Sequence, residues 1–321
     1  MYKIDNEKHR EIIEATLEDV NKTLGNVVEK NILISDVDNI LQAINEQLVE
    51  NEQFSNSIFS ELRTITGLGV TSIGLLALTV GPDPIKNESK LFPRDWLGSN
   101  ERPNPDLVIS HLLCNLSNYA LSVDTLIQKG LDTQARSQLR IFLELSWMTL
   151  NIISDKELFS GFVCSDEIEE KRFWAKNLKS FQLNSRLSDL EKLFGLEPQL
   201  QSSISQLRKD NYSFYSSIVH HSYSSTMLGA LSFHANSDTS SFNVFGKVGS
   251  NSSSTLVVLN DAIWYFLLMF YAILCKKHKI SPLNPNVDFW VESFSIYKCV
   301  VNIYLYQRIS NSANKAFKAD L

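Results

Sequence analysis

The chain reads as all-α: a multi-helix bundle with an N-terminal helical extension and a Ser/Asn-rich excursion. Three observations predict this. Residues 105–154 have the pattern of a helical hairpin, two long arms joined by Lys129-Gly130-Leu131-Asp132. The segments 5–24 and 36–63 repeat apolar residues at the spacing of a helix that buries one side. Two further helical segments near the end, 254–278 and 287–312, are strongly apolar and should complete the core. With 321 residues and 44% apolar content, the chain has ample material for one large domain or two modest ones.

In the first segment Ile12, Ile13, Leu17, Val20 and Leu24 share a side. In the second Ile40, Leu41, Ile44 and Leu48 do, with Asp36 or Asp38 in position to cap the start. The outer faces are acidic, so the region 1–80 is expected to pack against the bundle or against a partner. The opening residues are charged and amphipathic, unlike a secretory signal. Ile65–Val80 is an apolar run with three glycines, and a second run, Ala262–Cys275, lies in the C-terminal half. The second, about 14 residues, falls below the roughly 20 that span a bilayer and is blocked upstream by Asn260-Asp261, so both runs read as buried core helices of a cytoplasmic protein with no strong membrane signal.

Residues 81–105 (GPDPIKNESKLFPRDWLGSNERPNP) concentrate proline and turn formers. They mark a connecting loop, anchored by Phe92 and Trp96, ahead of the bundle at 106–321. Within the hairpin, Gly130 is placed for the left-handed conformation after a helix, and Asp132 to accept from the amides that open the next one. On that second arm Thr133, Arg136, Arg140, Glu144, Trp147 and Asn151 fall in one sector, and most of the remaining circumference is apolar. The stripe is either the solvated face of an amphipathic helix or a polar cleft inside the bundle. In the cleft reading two guanidinium groups meet one carboxylate, and the spare positive charge suits an anion.

The stretch 155–194 is expected to be mostly helical, with core contacts from Phe162, Phe173, Trp174, Leu178, Phe181 and Leu187. A helix from about Pro198 to His221 then carries a second polar row, Arg208, Tyr212, Ser216 and His220, each four apart. Tyr215 flanks that row and His221 follows it. Each member also has a plain structural explanation: a surface charge, a tyrosine with a wet hydroxyl, a histidine bonded to terminal carbonyls. The excursion 232–254 includes Phe242, Val244, Phe245 and Val248, which favours an ordered short hairpin. Pro282 and Pro285 punctuate the turn before the last helix.

The net charge of −6 excludes a protein that coats nucleic acid nonspecifically, while a local basic groove for a short RNA segment is compatible with it. Cys114, Cys164, Cys275 and Cys299 form no CxxC pair and read as reduced core thiols. Apart from the adjacent His220–His221, no His or Cys pair has ligand spacing, so neither a metal nor a cofactor is expected. Gly67-Leu68-Gly69 lacks the rest of a phosphate loop.

The run Ala135-Arg136-Ser137-Gln138-Leu139-Arg140-Ile141-Phe142-Leu143-Glu144 resembles the A-R-x-x-L-R-x-x-x-E signature of an uncharacterised bacterial all-helical family. Members of that family carry a later S-x-x-x-H element, here Ser216 and His220, and the resemblance covers residues 107–275. More remotely, the pattern is similar to the HEPN group of helical bundles, many of them ribonucleases of toxin–antitoxin and anti-phage systems. That group places an Arg and a later His on one helix with four to six residues between them, usually completed across a dimer. Here Arg208 stands twelve residues before His220.

The resemblance implies a bacterial defence or stress protein with metal-independent ribonuclease activity. His220 would be general acid or base, Arg136 and Arg140 would hold the phosphate, and Glu144 would orient an arginine. Arg208, Tyr212, Ser216, His221, Trp147 and Asn151 would support them. The alternative is a non-catalytic interaction or sensor module in a defence complex, in which Arg136, Arg140, Glu144 and His220 form a buried network that fixes helix register. RNA is the expected ligand in the first case, and a homodimer or a partner protein in either.

Overall fold

A computed structural model describes residues 2–24, 31–81, 104–163, 167–219, 231–233, 240–242, 246–281 and 291–303. They build an all-α bundle: α1 (Glu7–Leu24), α2 (Ile34–Ile58), α3 (Ser60–Val80), α4 (Pro105–Gln128), α5 (Asp132–Ser154), α6 (Lys156–Phe162), α7 (Glu167–Asn177), α8 (Ser180–Leu193), α9 (Pro198–Val219) and α10 (Ser250–Lys276), with residues 291–303 also helical. Strands β1 (Leu231–Phe233) and β2 (Ser240–Phe242) pair antiparallel, Leu231 opposite Phe242, which is the short hairpin expected in the Ser/Asn-rich excursion.

The apolar circumference of α5 dictates its place. It packs on α4, α10, α9, α8 and α6, and Leu139, Phe142, Leu150, Ile152 and Ile153 are fully buried. Each such side chain contributes about 1.5–3 kcal/mol by leaving water. The α4–α5 turn closes as its chemistry demands: Gly130 has φ +75°, and the Leu131 amide donates to the Leu126 carbonyl at 2.8 Å. Asn51, buried in α2, donates to the Lys129 and Gly246 carbonyls, both at 3.1 Å, and accepts from the Val248 amide at 3.2 Å. One side chain thereby joins α2, the hairpin turn and the entry to α10.

Helix α3 lies against α4 and α10, burying Thr66, Gly69 and Ser72 among Ile65, Ile73 and Leu76. The Thr66 hydroxyl donates to Asn260 Oδ1 at 2.8 Å, and a Cβ on Gly69 would lie 2.4 Å from Ile263 Cγ2. Gly69→Ala is therefore expected to lower stability by about 1–3 kcal/mol through overpacking. Ile263→Leu, which removes the Cγ2 branch, should recover part of that loss in urea melts. A neutral Gly69→Ala would show that the two helices do not approach this closely.

The structure corrects several expectations. Helices α3 and α10 run to 21 and 27 residues, longer than the apolar runs inside them. Both are long and apolar enough to cross a membrane, and 50% and 61% of their most apolar windows are buried within the bundle. Because α1 packs on α2, Ile13 and Leu17 are half-buried whereas Ile12 and Val20 face outward, as does Ile40 of α2. Asp36 accepts from the Leu33 amide at 2.8 Å, while Asp38 pairs with Arg10 at 2.8 Å instead of capping. Leu178 and Leu187 are core residues, but Trp174 of α7 and Phe181 of α8 are exposed. Cys114 and Cys299 are exposed free thiols and Cys275 is half-buried, since the inward positions of α4 belong to Leu113 and Leu116. Phe92, Trp96 and Cys164 lie outside the described residues.

Candidate functional site

The polar sector of α5 turns toward α9 and α8. Arg140 Nη1 donates to the Ser216 hydroxyl at 3.1 Å, and Nη2 to Glu144 Oε1 at 3.0 Å and the Tyr212 hydroxyl at 3.1 Å. Its guanidinium carbon stands 4.9 Å from the centre of the Tyr212 ring, within cation–π range. The Arg140 side chain is 12% exposed and that of Glu144 39%, so the stripe is a seam between two helices with Glu144 at its open edge. Buried Arg140 Nε has no partner among the described residues.

Arg136 lies deeper. Its Nη2 stands 2.8 Å from Asp132 Oδ2, its Nε donates to the Thr255 hydroxyl at 3.3 Å, and its guanidinium covers the Phe214 ring at 5.6 Å. The Thr255 hydroxyl donates to Asp132 Oδ1 at 2.9 Å. Asp132 is therefore not the helix cap expected from its position: α5 opens from Leu131 with no side-chain cap, and the carboxylate turns inward to its ion pair. Burial pushes the Asp132 pKa up, and Arg136 and the Thr255 hydrogen bond act against that rise. Nearby Tyr215, 3% exposed, has its hydroxyl pushed up to about 12, chiefly by burial.

Arg208 is not the surface charge that its sequence context allowed. It is 5% exposed and every donor has an acceptor. Nε reaches Asn184 Oδ1 at 2.5 Å, Nη1 reaches Glu191 Oε1 and the Tyr265 hydroxyl (2.8 Å), and Nη2 reaches Ser188 Oγ (3.1 Å) and Glu191 Oε2 (3.4 Å). Tyr265 in turn donates to Glu191 Oε1 at 2.7 Å, and burial holds its pKa well above the usual phenol range. Trp147, 3% exposed, sits between these clusters with its ring centre 6.0 Å from that of Tyr212. Asn151 is fully buried, donating to the Trp147 carbonyl at 2.8 Å and the Leu183 carbonyl at 3.4 Å, while its Oδ1 has no partner among the described residues.

The arrangement expected from sequence, two guanidinium groups and one carboxylate, is corrected to three arginines with three carboxylates. Asp132 had a readable signal, four residues ahead of Arg136 in the favourable order. Glu191, on α8 and seventeen residues before Arg208, had none. His220 and His221 lie outside the described residues; α9 is described to Val219, so Ser216 is the last member of the row that is placed. Among the described residues, no group of three or more His, Cys, Asp or Glu side chains is gathered for a metal.

Two clefts flank Trp147 and Arg208. The one between α8 and α9, about 540 Å³, mixes polar and apolar side chains and includes Ser180, Phe181, Ser185, Lys192, Lys209 and Tyr212. The one between α9 and α10, about 390 Å³, is walled mainly by apolar side chains. Comparison of the chain with protein-family models, with curated proteins and with solved structures finds no match.

Proposed function

We propose that this chain is a non-catalytic helical interaction or sensor module whose α5–α9 seam is a polar joint between helices. One observation carries the reading: each arginine is matched to its own carboxylate, Arg136 with Asp132, Arg140 with Glu144 and Arg208 with Glu191. A guanidinium already neutralised within hydrogen-bond distance has little left for the charge that develops on a phosphate. A satisfied ionic network, by contrast, favours one alignment of the helices that share it. The resemblance to defence proteins suggests a bacterial complex, with a protein partner, as the setting.

A second reading, metal-independent RNA cleavage, is favoured by one contact. Arg140 donates to Ser216, and His220 follows Ser216 by four residues in the sequence. In that reading Glu144, at the open edge of the seam, releases Arg140 to a phosphate, and His220 takes the proton of the attacking ribose 2′-hydroxyl.

Melting curves and RNA degradation, measured on purified wild type, Arg140→Ala and His220→Ala, separate the two. The module reading expects Arg140→Ala to lose about 1–3 kcal/mol of stability, since bonds to a charged group are removed and their acceptors stranded. It expects no RNA degradation by any of the three proteins. Metal-independent cleavage by wild type, abolished in both variants with unchanged melting curves, would replace it with the nuclease.

A further inference from the structure

We propose that the cleft between α9 and α10 is a binding site for a small, uncharged, ring-bearing molecule. Arg140 does not line this cleft, so it is independent of the chemistry of the α5–α9 seam.

Helix α9 packs on α5 and α8, and α10 packs on α3 and α5, so the two sit side by side on α5 with the gap between them. Leu143 and Trp147 of α5 form its floor. Apolar gaps between helices tend to close, because wall atoms without neighbours forfeit dispersion contacts. Here a buried polar strut opposes closure: Arg208 Nη1 on α9 donates to the Tyr265 hydroxyl on α10 at 2.8 Å, and Tyr265 donates to Glu191 at 2.7 Å. With every Arg208 donor engaged, the strut has a set length. The cleft is thus a feature the fold maintains with buried ionic groups.

Its walls specify the occupant. Trp147, Trp264 and Tyr265 offer rings for stacking, and Ile204, Leu207 and Val258 supply aliphatic surface. Two charged residues line it, Arg208 and Asp261. The guanidinium is saturated by Asn184, Ser188, Glu191 and Tyr265, so it has no donor left for an anion. A negatively charged ligand therefore gains nothing here. For size, a dry cavity of about 150 Å³ accommodates benzene, and the cleft measures about 390 Å³. That room suits two ring systems. Leu200 and Leu207, 51% and 48% exposed, mark the entrance.

Two dyes that share one skeleton make the test. N-phenyl-1-naphthylamine is uncharged, and 8-anilinonaphthalene-1-sulfonate adds a sulfonate to the same rings. Titrated into the full chain, the neutral dye should bind saturably at one site and quench tryptophan emission through Trp147 and Trp264. The sulfonate should bind at least tenfold more weakly. Ala262→Phe, which fills the cleft, should weaken the neutral dye at least tenfold. So should Ser203→Trp, placed at an exposed lining position where the fold tolerates a large side chain, with an unchanged melting midpoint. Arg140→Ala should leave dye binding as it is. Non-saturable binding, equal binding of the two dyes (the behaviour of a bare apolar surface that a protein partner covers), or undiminished affinity in both filled variants would overturn the proposal.

Discussion

Glu191→Ala is expected to cost the fold about 3–5 kcal/mol, because it leaves a buried charge without its counter-ion. The side chains of Arg208 and Glu191 are 6% and 0% exposed, so water cannot take the place of the missing carboxylate. Nor can a proton shift relieve the site, since a guanidinium stays charged at any pH a protein survives. Asn184, Ser188 and Tyr265 would still accept from Arg208, but none of them carries a formal negative charge. Glu191→Gln should fall between alanine and wild type, keeping volume and hydrogen bonding but not charge. The double replacement Arg208→Met with Glu191→Leu should recover part of the loss, because both desolvation penalties vanish together while Tyr265, Asn184 and Ser188 lose their partners. Urea unfolding with unchanged m-values checks the order. If the double variant is as unstable as Glu191→Ala, the pair is not the coupled buried unit its geometry indicates. The recovered double variant would also lack the strut that holds the α9–α10 cleft, so it should bind the neutral dye poorly while folding well.

That network also shows where sequence reasoning stops. The polar sector of α5 was legible because one helix's periodicity is local: Arg136, Arg140, Trp147 and Asn151 had to share a side, and in the structure they do turn inward. Gly130 was legible because a hairpin turn after an apolar run needs a left-handed residue. The short β1–β2 hairpin was legible from apolar residues set within a polar, turn-rich stretch. The partners were not. Glu191 stands in Ser-Asp-Leu-Glu-Lys-Leu, which has the composition of any solvated helix face, and the docking of α8 on α9, with Tyr265 of α10 set against it, gives it zero exposure. Asp132 has two equally good local fates, capping α5 or pairing with Arg136, and Thr255 from a distant helix decides between them. Asn51 binds backbone groups 78 and 195 residues away, which no spacing rule reaches. Exposed Ile12, Ile40 and Phe181 show the converse: an amphipathic pattern identifies an apolar side without saying what, if anything, this chain places against it.

Gly130→Ala, measured beside Gly195→Ala, tests the joint on which the hairpin depends. Both glycines have left-handed backbone, φ +75° and +82°, so a side chain at either position should cost about 1–2 kcal/mol in local strain. Their surroundings differ. A Cβ at Gly195 meets nothing within 4 Å, whereas at Gly130 it would lie 2.4 Å from the Lys247 amide nitrogen and 2.8 Å from Asn51 Nδ2. Neither obstacle is the loose end of a flexible side chain. Lys247 N–H donates to the Gly130 carbonyl at 3.0 Å, and Asn51 is held by its bonds to Lys129, Gly246 and Val248. Relief of the overlap must therefore break one or more of these buried bonds, adding about 1–3 kcal/mol for polar groups left unsatisfied. Gly195→Ala should lower stability by about 1–2 kcal/mol and Gly130→Ala by about twice that or more. Asn51→Ala, which opens the space, should make a subsequent Gly130→Ala less costly than it is in wild type, a coupling that a double-mutant cycle reads directly. Equal losses at the two glycines, with no coupling to Asn51, would mean that α2, the hairpin turn and the entry to α10 do not meet at this point.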